Sequence, residues 1–399
     1  MTTRELPAGP APAQAAQESY WTKDFVFTCL AGFCDGLATN IVNPILPLLV
    51  THLGGNAGQV GLVMAFRTFT ALVARPISGM IADRGFVIRM FAFSGLDTML
   101  SGLGYMFSNA IWHLSGVQIF KGLGLTANTT SSGTVVAELA PASRRGEAIG
   151  IYGIVVPVAS VFGPALGMFL LGRAGFPSVF GLCSVLGFAT LLLVSQVRLP
   201  KKERPAHVPI RLVNKEALLP AALVTFVVVP QVPIYAYMPL FFKTSNLGDP
   251  SLYFTACASS MIVIRTVTGR LSDTLGRTAV LVPGVLLMSL SSLYVSTNPG
   301  YWGTLASGAL LGAGFGAAFP SIMALAIDRA RLMERGSATA TVYMFVDVGY
   351  TLATLADGFI LDRASFGVMF ALNAMLPIIG LSGFLLIRRL SHRPQLAGS

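Results

Sequence analysis

The sequence predicts an all-α membrane protein of twelve transmembrane helices, arranged as two pseudo-symmetric six-helix bundles. Three observations predict it: the composition, the recurrence of apolar runs of spanning length, and residues in the second half that repeat the first at one fixed offset. Of 399 residues, 54% are hydrophobic and only 11% are charged, with a mean hydropathy of +0.70. A soluble domain carries about 25% charged residues. Less than half of that, spread over the whole length, means that most of the surface faces a lipid bilayer.

A spanning helix needs about 20 mostly apolar residues. Twelve runs qualify, near 24–50, 58–81, 89–107, 111–138, 148–171, 177–197, 216–242, 252–271, 278–297, 301–327, 338–360 and 366–387. An even number of spans puts both termini on one side. Twenty Lys and Arg fall in the tails, linker and loops of that side; only Arg173, Lys243 and Arg363 fall on the other. Basic residues concentrate in cytoplasmic loops, so both termini are expected in the cytoplasm of a multi-pass inner-membrane protein. The formal charge of +10 follows from this topology. Its dispersal through short loops argues against a nucleic-acid partner.

Residues 1–22 are rich in Pro, Ala and Gln and have no apolar signal-peptide core; they read as a disordered cytoplasmic tail, and 389–399 as a second tail. Cys29, Cys34, Cys183 and Cys257 all lie inside apolar runs, with no Cys-x-x-Cys pair, which excludes a disulfide or zinc framework. The polar, basic, Pro-bearing stretch 198–215 separates an N-terminal bundle, 23–197, from a C-terminal bundle, 216–388.

The two bundles are related by an offset of 190 residues. Arg75, Gly79 and Asp83 match Arg265, Gly269 and Asp273; Gly122 and Gly124 match Gly312 and Gly314; Arg145 and Gly146 match Arg335 and Gly336. The loop after the second span reads GMIADRGFVIR (79–89), and the loop after the eighth reads GRLSDTLGR (269–277). Both resemble the G-x-x-x-D-R-x-G-R motif of the major facilitator superfamily, and the resemblance covers nearly the whole chain. The second copy departs at Thr274; the first is one residue short, with its following basic position displaced to Arg89. The motif predicts a gating element made of Arg75, Gly79, Asp83, Arg84, Arg145, Arg265, Gly269, Asp273 and Arg277. Its glycines let helices approach closely, and its aspartates sit at helix ends where a carboxylate accepts backbone N–H bonds. In the family the motif implies a latch on one access state. Arg75 and Arg265 are expected to snorkel or to pair with the motif aspartates.

The fifth span, GIYGIVVPVASVFGPALGMFL (150–170), carries Gly150, Gly163, Pro164 and Gly167, a set that resembles the antiporter motif of drug-efflux members. Ala159 and Met168 stand where that motif has glycine. Small residues four apart also pack helices in any membrane protein. The fourth span, VQIFKGLGLTANTT (117–130), resembles the family's R-x-x-x-G-x-G motif of proton coupling, with Gln118 at the arginine position and Lys121 one turn later. An i, i+3 spacing places both on one face, so Lys121 is expected to take over the charge. The segments 74–79, 141–150 and 345–358 resemble a bacterial efflux branch that includes sugar-efflux-like permeases and exporters of opine-type metallophores.

Ionisable residues within spans are costly and mark function. Asp35, Arg67, Lys121 and Asp347 lie on helices that line the cavity in the superfamily; Asp97 lies on a support helix and reads as a structural partner. Asp35 is the first proton-coupling candidate and Asp347 the second; the alternative for Asp35 is a permanent ion pair with Arg67 or Lys121. Asn43, Arg67, Gln118, Lys121, Gln231 and Tyr235 are the substrate-cavity candidates. Gln231 and Tyr235 sit among the prolines of the seventh span, a broken helix that suits a binding site, although Tyr235 and Tyr237 also suit an interfacial belt.

No Walker-type G-x-x-x-x-G-K-[ST] occurs, so ATP does not drive this chain directly. The GAGFG run (312–316) lies inside an apolar span, and the four histidines are scattered through loops and tails. No cofactor, metal site or enzymatic chemistry is expected. The sequence predicts a proton-coupled exporter of a small molecule, with protons and that substrate as its partners. A proton-coupled importer and a non-transporting sensor of the same fold are the alternatives. Oligomeric state is not written in the sequence; the resemblance implies a monomer.

Overall fold

Three prolines within ten residues, Pro230, Pro233 and Pro239, deprive the seventh span of the N–H groups a continuous helix needs. It is accordingly the span that the structure breaks into pieces. The structure is a computed structural model that describes residues 21–141, 144–199, 213–331 and 334–391. The expected tails and linker fall largely outside the described residues, as do the side chains of Asp83, Asp273 and Arg335.

Helix α1 is Lys23–His52, started by the Thr22 hydroxyl, which accepts from the Phe25 N–H at 3.2 Å. Helix α2, Ala57–Asp83, opens on a reciprocal capping box between Asn56 and Gln59. Then come α3 (Val87–Met106) and α4 (Ile111–Leu139). The helical run Arg145–Ser195 is divided by Gly175, at φ 73° and ψ −179°. This conformation is open to glycine and costly for other residues, and it separates α5 (145–174) from α6 (176–195). Helix α7 is assembled from Leu218–Val227, Val232–Ala236 and Met238–Thr244. The C-terminal bundle is completed by α8 (Ser251–Leu275), α9 (Arg277–Ser296), α10 (Gly300–Arg329), α11 (Arg335–Leu361) and α12 (Phe366–Ser391).

Among the described residues, nine helices are long and apolar enough to cross a membrane by length and composition, one of them the joined α5–α6 run. Helices α3 and α4 are not in that set. They carry the polar side chains of the network described below, and these are covered by neighbouring helices rather than offered to lipid.

The offset of 190 is visible in three dimensions. A Cβ on Gly122 of α4 would stand 2.5 Å from the Arg67 carbonyl oxygen and 2.6 Å from Thr70 of α2. A Cβ on Gly312 of α10 would strike the Cys257 carbonyl oxygen and the Ser260 hydroxyl of α8. Residues 67 and 70 plus 190 are 257 and 260, so the same close crossing is built twice. Gly124 has a different neighbour: the carboxylate of Asp97 fills the space its side chain would take.

The antiporter-like motif of α5 packs against α1. Gly163 lies against Asn40, at 2.5 Å from its Cβ, Gly167 against Ile41, and Ala159 against Gly36. The backbone stays helical through Pro164. Gly150 has no neighbour within 4 Å of a Cβ position. Gly79 and Gly269 correct the sequence reading in the same way. They were expected to let helices approach, yet neither has an atom within 4 Å of where a Cβ would stand. At those levels the helices have diverged.

These two kinds of glycine should separate experimentally. Gly122→Ala and Gly312→Ala force a methyl group into backbone, and overpacking of this kind costs about 1–3 kcal/mol. Both are expected to lower the unfolding midpoint of the detergent-solubilised protein, whereas Gly79→Ala and Gly269→Ala leave it unchanged or raise it slightly.

Candidate functional site: a charge network within and between the bundles

The start of α1 meets the segment after α6 through Asp24 and Arg198, and the end of α12 meets the start of α9 through Arg388 and Thr278; this end of the molecule is here the terminal end. Helices α2 and α11 bring the two bundles together at the other end. The Asp362 carboxylate accepts the Gly58 N–H at 3.0 Å. The buried Tyr237 hydroxyl donates to the carbonyls of Thr354, at 3.1 Å, or Ala57, at 3.4 Å. Thr351 donates to the Thr68 hydroxyl at 2.7 Å, in competition with its own helix. The last rung is an ion pair. Arg75 of α2 donates from Nε to Asp347 Oδ2 of α11 at 2.7 Å, and its second nitrogen lies 2.5 Å from the same oxygen.

That pair is 9% and 5% exposed at its two side chains. Arg75 also reaches the Thr129 hydroxyl of α4 at 3.4 Å, and its guanidinium lies 5.5 Å from the centre of the Tyr343 ring. One turn further toward the terminal end, at Gly79, the space beside α2 is open. The described α2–α11 bonds thus run from the non-terminal end as far as Arg75–Asp347. Arg75 neither snorkels nor pairs with a motif aspartate, because a carboxylate of the opposite bundle stands directly across from it. Asp347 is, for the same reason, not a free cavity carboxylate.

A second network lies inside the N-terminal bundle. Asp35 of α1 is 6% exposed. It accepts from the Thr98 hydroxyl of α3 at 2.5 Å and from the Asn128 amide of α4 at 2.6 Å. Thr98 in turn accepts from the Lys121 ammonium at 2.5 Å. Lys121 lies 3.3 Å from Asp97 Oδ2, and Asp97 is fully buried with no hydrogen bond to either oxygen. A chain Asp35–Thr98–Lys121–Asp97 therefore crosses from α1 through α3 to α4. The alternative for Asp35, a direct ion pair with Arg67 or Lys121, is not what forms. Lys121 is one hydroxyl away, and its own carboxylate partner is Asp97.

This geometry also corrects two cavity assignments. Gln118 and Lys121 share a face, as their spacing requires, but that face meets α3. The Tyr105 hydroxyl donates to Gln118 Oε1 at 3.0 Å, and the two residues are 1% and 7% exposed. Both belong to the interior of the N-terminal bundle. Asn43 and Arg67 do meet, with the guanidinium donating to Asn43 Oδ1 at 2.8 Å. Gln231 is buried at the break in α7, with no hydrogen-bond partner for its oxygen. Tyr235 stacks on Phe254 of α8, centroids 6.5 Å apart. Tyr237 is buried and not an interfacial belt residue.

Of the gating set, Arg277 bonds within its own bundle, to Asp328 of α10 at 3.0 Å and to the Ser272 hydroxyl at 3.2 Å. Arg84 and Arg145 are exposed at the terminal end. Sequence reasoning did not select Thr98 and Asn128, whose small polar side chains give no signal inside apolar helices. It also passed over Asp357, a 1% exposed carboxylate of α11 held by the Asn373 amide of α12 at 2.9 Å. A carboxylate inside a span was the available signal there.

Two six-helix bundles related by an internal repeat and joined across α2 and α11 around buried charges have the architecture of a membrane transporter. The Major Facilitator Superfamily matches the chain over residues 28–277 and again over 247–398, and the chain belongs to that family. It is 27% identical over 329 residues to the "Multi-drug resistance efflux pump PmrA homolog" of Lactococcus lactis, covering 76% of this chain and 80% of that protein. It is 24% identical to "Multidrug resistance protein MdtG" of Dickeya zeae, covering 94% of this chain and 96% of that one. Among solved structures, a bacterial homolog of the human lysosomal transporter Spinster superposes with a TM-score of 0.75 at 15% identity, over 96% of this chain and all of that one. The protein is therefore a multi-pass membrane transporter, not an enzyme.

The inter-bundle pair is testable by charge exchange. Arg75→Ala or Asp347→Ala leaves a buried charge alone, which costs about 3–5 kcal/mol, and each is expected to lower the unfolding midpoint and abolish transport. The exchange Arg75→Asp with Asp347→Arg restores the attraction, and with it most of the midpoint.

Proposed function

We propose that this protein exports a small molecule in exchange for protons, and that Asp35 is the carboxylate the proton occupies. One observation carries the choice of Asp35. Two buried carboxylates of cavity-lining helices, Asp35 and Asp357, are held by neutral donors, whereas Asp347 is held by a guanidinium; of the two, Asp35 is joined through Thr98 to the Lys121–Asp97 pair. A proton can neutralise Asp35 without leaving a cation stranded in a low-dielectric interior; on Asp347 it strands Arg75. Thr98 links Asp35 to Lys121 and Asp97, so a change of charge at Asp35 is felt on α3 and α4 as well as α1.

Export is supported by the names of the relatives, which are efflux and multidrug-resistance proteins. The glycines of α5 fit that reading but do not add to it, since their contacts with α1 are explained by packing. The density of Lys and Arg supports a cytoplasmic location for both termini. With that orientation the α2–α11 seam lies on the outer side of the membrane. The cycle is a rocking of the two bundles: substrate enters from the cytoplasm, the α2–α11 seam opens, substrate leaves, and a proton on Asp35 accompanies the return.

Energised inside-out vesicles with a lumenal pH dye test this reading. Adding a transported solute is expected to release protons from the lumen, and Asp35→Asn abolishes the release while the protein still folds. Release that persists in Asp35→Asn moves the proton site elsewhere. Solute uptake with no proton movement excludes antiport. A reporter fused to the C-terminus that is active only in the cytoplasm tests the orientation.

A further inference from the structure

We propose that the cavity between the bundles binds a small organic oxyanion, gripped by Arg67 and Arg265. The proposal rests on the transport reading above and specifies its substrate class. Within their spans, α2 carries Arg67 and Arg75, α8 carries Arg265 and α11 carries Asp347. Asp347 is consumed by Arg75. The remaining two guanidiniums have no carboxylate partner among the described residues. Arg67 is held only by the neutral Asn43 amide oxygen, and its Nε is buried without a hydrogen bond. Arg265 has a buried Nε in the same condition.

The internal repeat shows why Arg265 is left alone. The offset of 190 that carries Arg75 onto Arg265 carries Asp347 back onto Pro157. The α2–α11 seam has a carboxylate; its pseudo-symmetric counterpart between α8 and α5 has proline. The cation was kept and its partner was not. A guanidinium in a membrane interior is expensive unless something neutralises it, and the planar fork of arginine is shaped to hold a carboxylate or phosphate-type group through two parallel bonds.

The surroundings fit an organic anion rather than a bare ion. Tyr105 of α3 and Tyr350 and Asp347 of α11 lie within electrostatic reach of Arg67, although Asp347 bonds to Arg75 instead, and Tyr235 of α7 and Tyr343 of α11 lie within reach of Arg265. Tyr235 and Tyr350 also lie within such reach of the buried Cys257 of α8. The rings of Tyr235, Tyr343 and Tyr350 are partly buried, and their hydroxyls have no hydrogen-bond partner among the described residues. They offer aromatic faces to an apolar body and O–H donors to an oxyanion. The acidic groups of the N-terminal bundle, Asp35 and Asp97, are already occupied by Thr98, Asn128 and Lys121, so they do not cancel this excess of positive charge. A cationic drug would meet two uncompensated guanidiniums.

The test uses the full chain in lipid nanodiscs and measures the shift of its unfolding midpoint, since a ligand that binds only the folded state stabilises it. The probes are phthalate, citrate, glucose 6-phosphate and naphthalenesulfonate on one side, and ethidium and tetraphenylphosphonium on the other. At least one anion is expected to raise the midpoint, and the class that does so distinguishes carboxylate from phosphate or sulfonate recognition. Its apparent affinity should fall about tenfold to a hundredfold in Arg265→Gln and in Arg67→Gln, as for loss of a charged hydrogen-bond donor. Arg265→Lys, which keeps the charge but loses the fork, should bind with intermediate affinity. Stabilisation by the cations alone, by no anion at all, or by anions equally in wild type and both glutamine variants overturns the proposal. Uptake of ethidium by proteoliposomes in any of those cases leaves the transport reading standing and removes only the anion.

Discussion

A charge buried away from water has to be matched by another, and in this protein the match at Arg75 and Asp347 is made between the two bundles. Everything about the described state follows from where that bond sits. On its non-terminal side α2 and α11 are tied by Gly58 to Asp362, by Tyr237 to two backbone carbonyls, and by Thr351 to Thr68. On its terminal side Gly79 stands free. The pair is the described α2–α11 bond nearest the terminal end. Each neutral rung contributes about 1 kcal/mol, while stranding one member of the buried pair costs several times that.

The same rule organises the N-terminal bundle. Lys121 would be costly alone, and Asp97 would be costly alone; together they form a pair around which α3 and α4 close, with Gly124 cut away to admit the carboxylate. Asp35 is attached to this pair through a single hydroxyl. That arrangement leaves Asp35 able to change charge without breaking a salt bridge, which is what a coupling site requires. The rule is not met at Arg67 and Arg265, which form no salt bridge among the described residues. An inside-negative potential favours outward movement of an anion by about 2.3 kcal/mol per charge per 100 mV, so an anionic cargo and an export direction are mutually consistent.

The fold was legible because its causes are local in sequence. Apolar runs of fixed length, basic loops on alternate turns and a constant offset require no knowledge of contacts, and the offset proved to carry contacts too, at Gly122 and Gly312. The three prolines of α7 announced its breaks. The pairing of charges was not legible. Spacing correctly put Gln118 and Lys121 on one face but could not say that the face meets α3. Nothing in one sequence tells Arg75 which carboxylate stands opposite when the bundles meet, since residues 75 and 347 share no local pattern. Gly79 and Gly269 were misread because a glycine in a motif reports a close approach in some state of the protein, and in this state those helices are apart. Thr98 and Asn128 gave no warning, being ordinary residues made important by the carboxylate they hold.

The account turns on Arg75–Asp347 as the bond that holds this access state. The direct measurement is the distance between spin labels at Leu62→Cys on α2 and Phe359→Cys on α11, with the four native cysteines replaced, in nanodiscs. With Arg75 and Asp347 intact a single short distance should dominate. In Asp347→Asn a second, longer population should appear as the seam opens. The same distribution with and without the pair would contradict the account, and would show that the seam is held by its backbone and hydroxyl rungs alone.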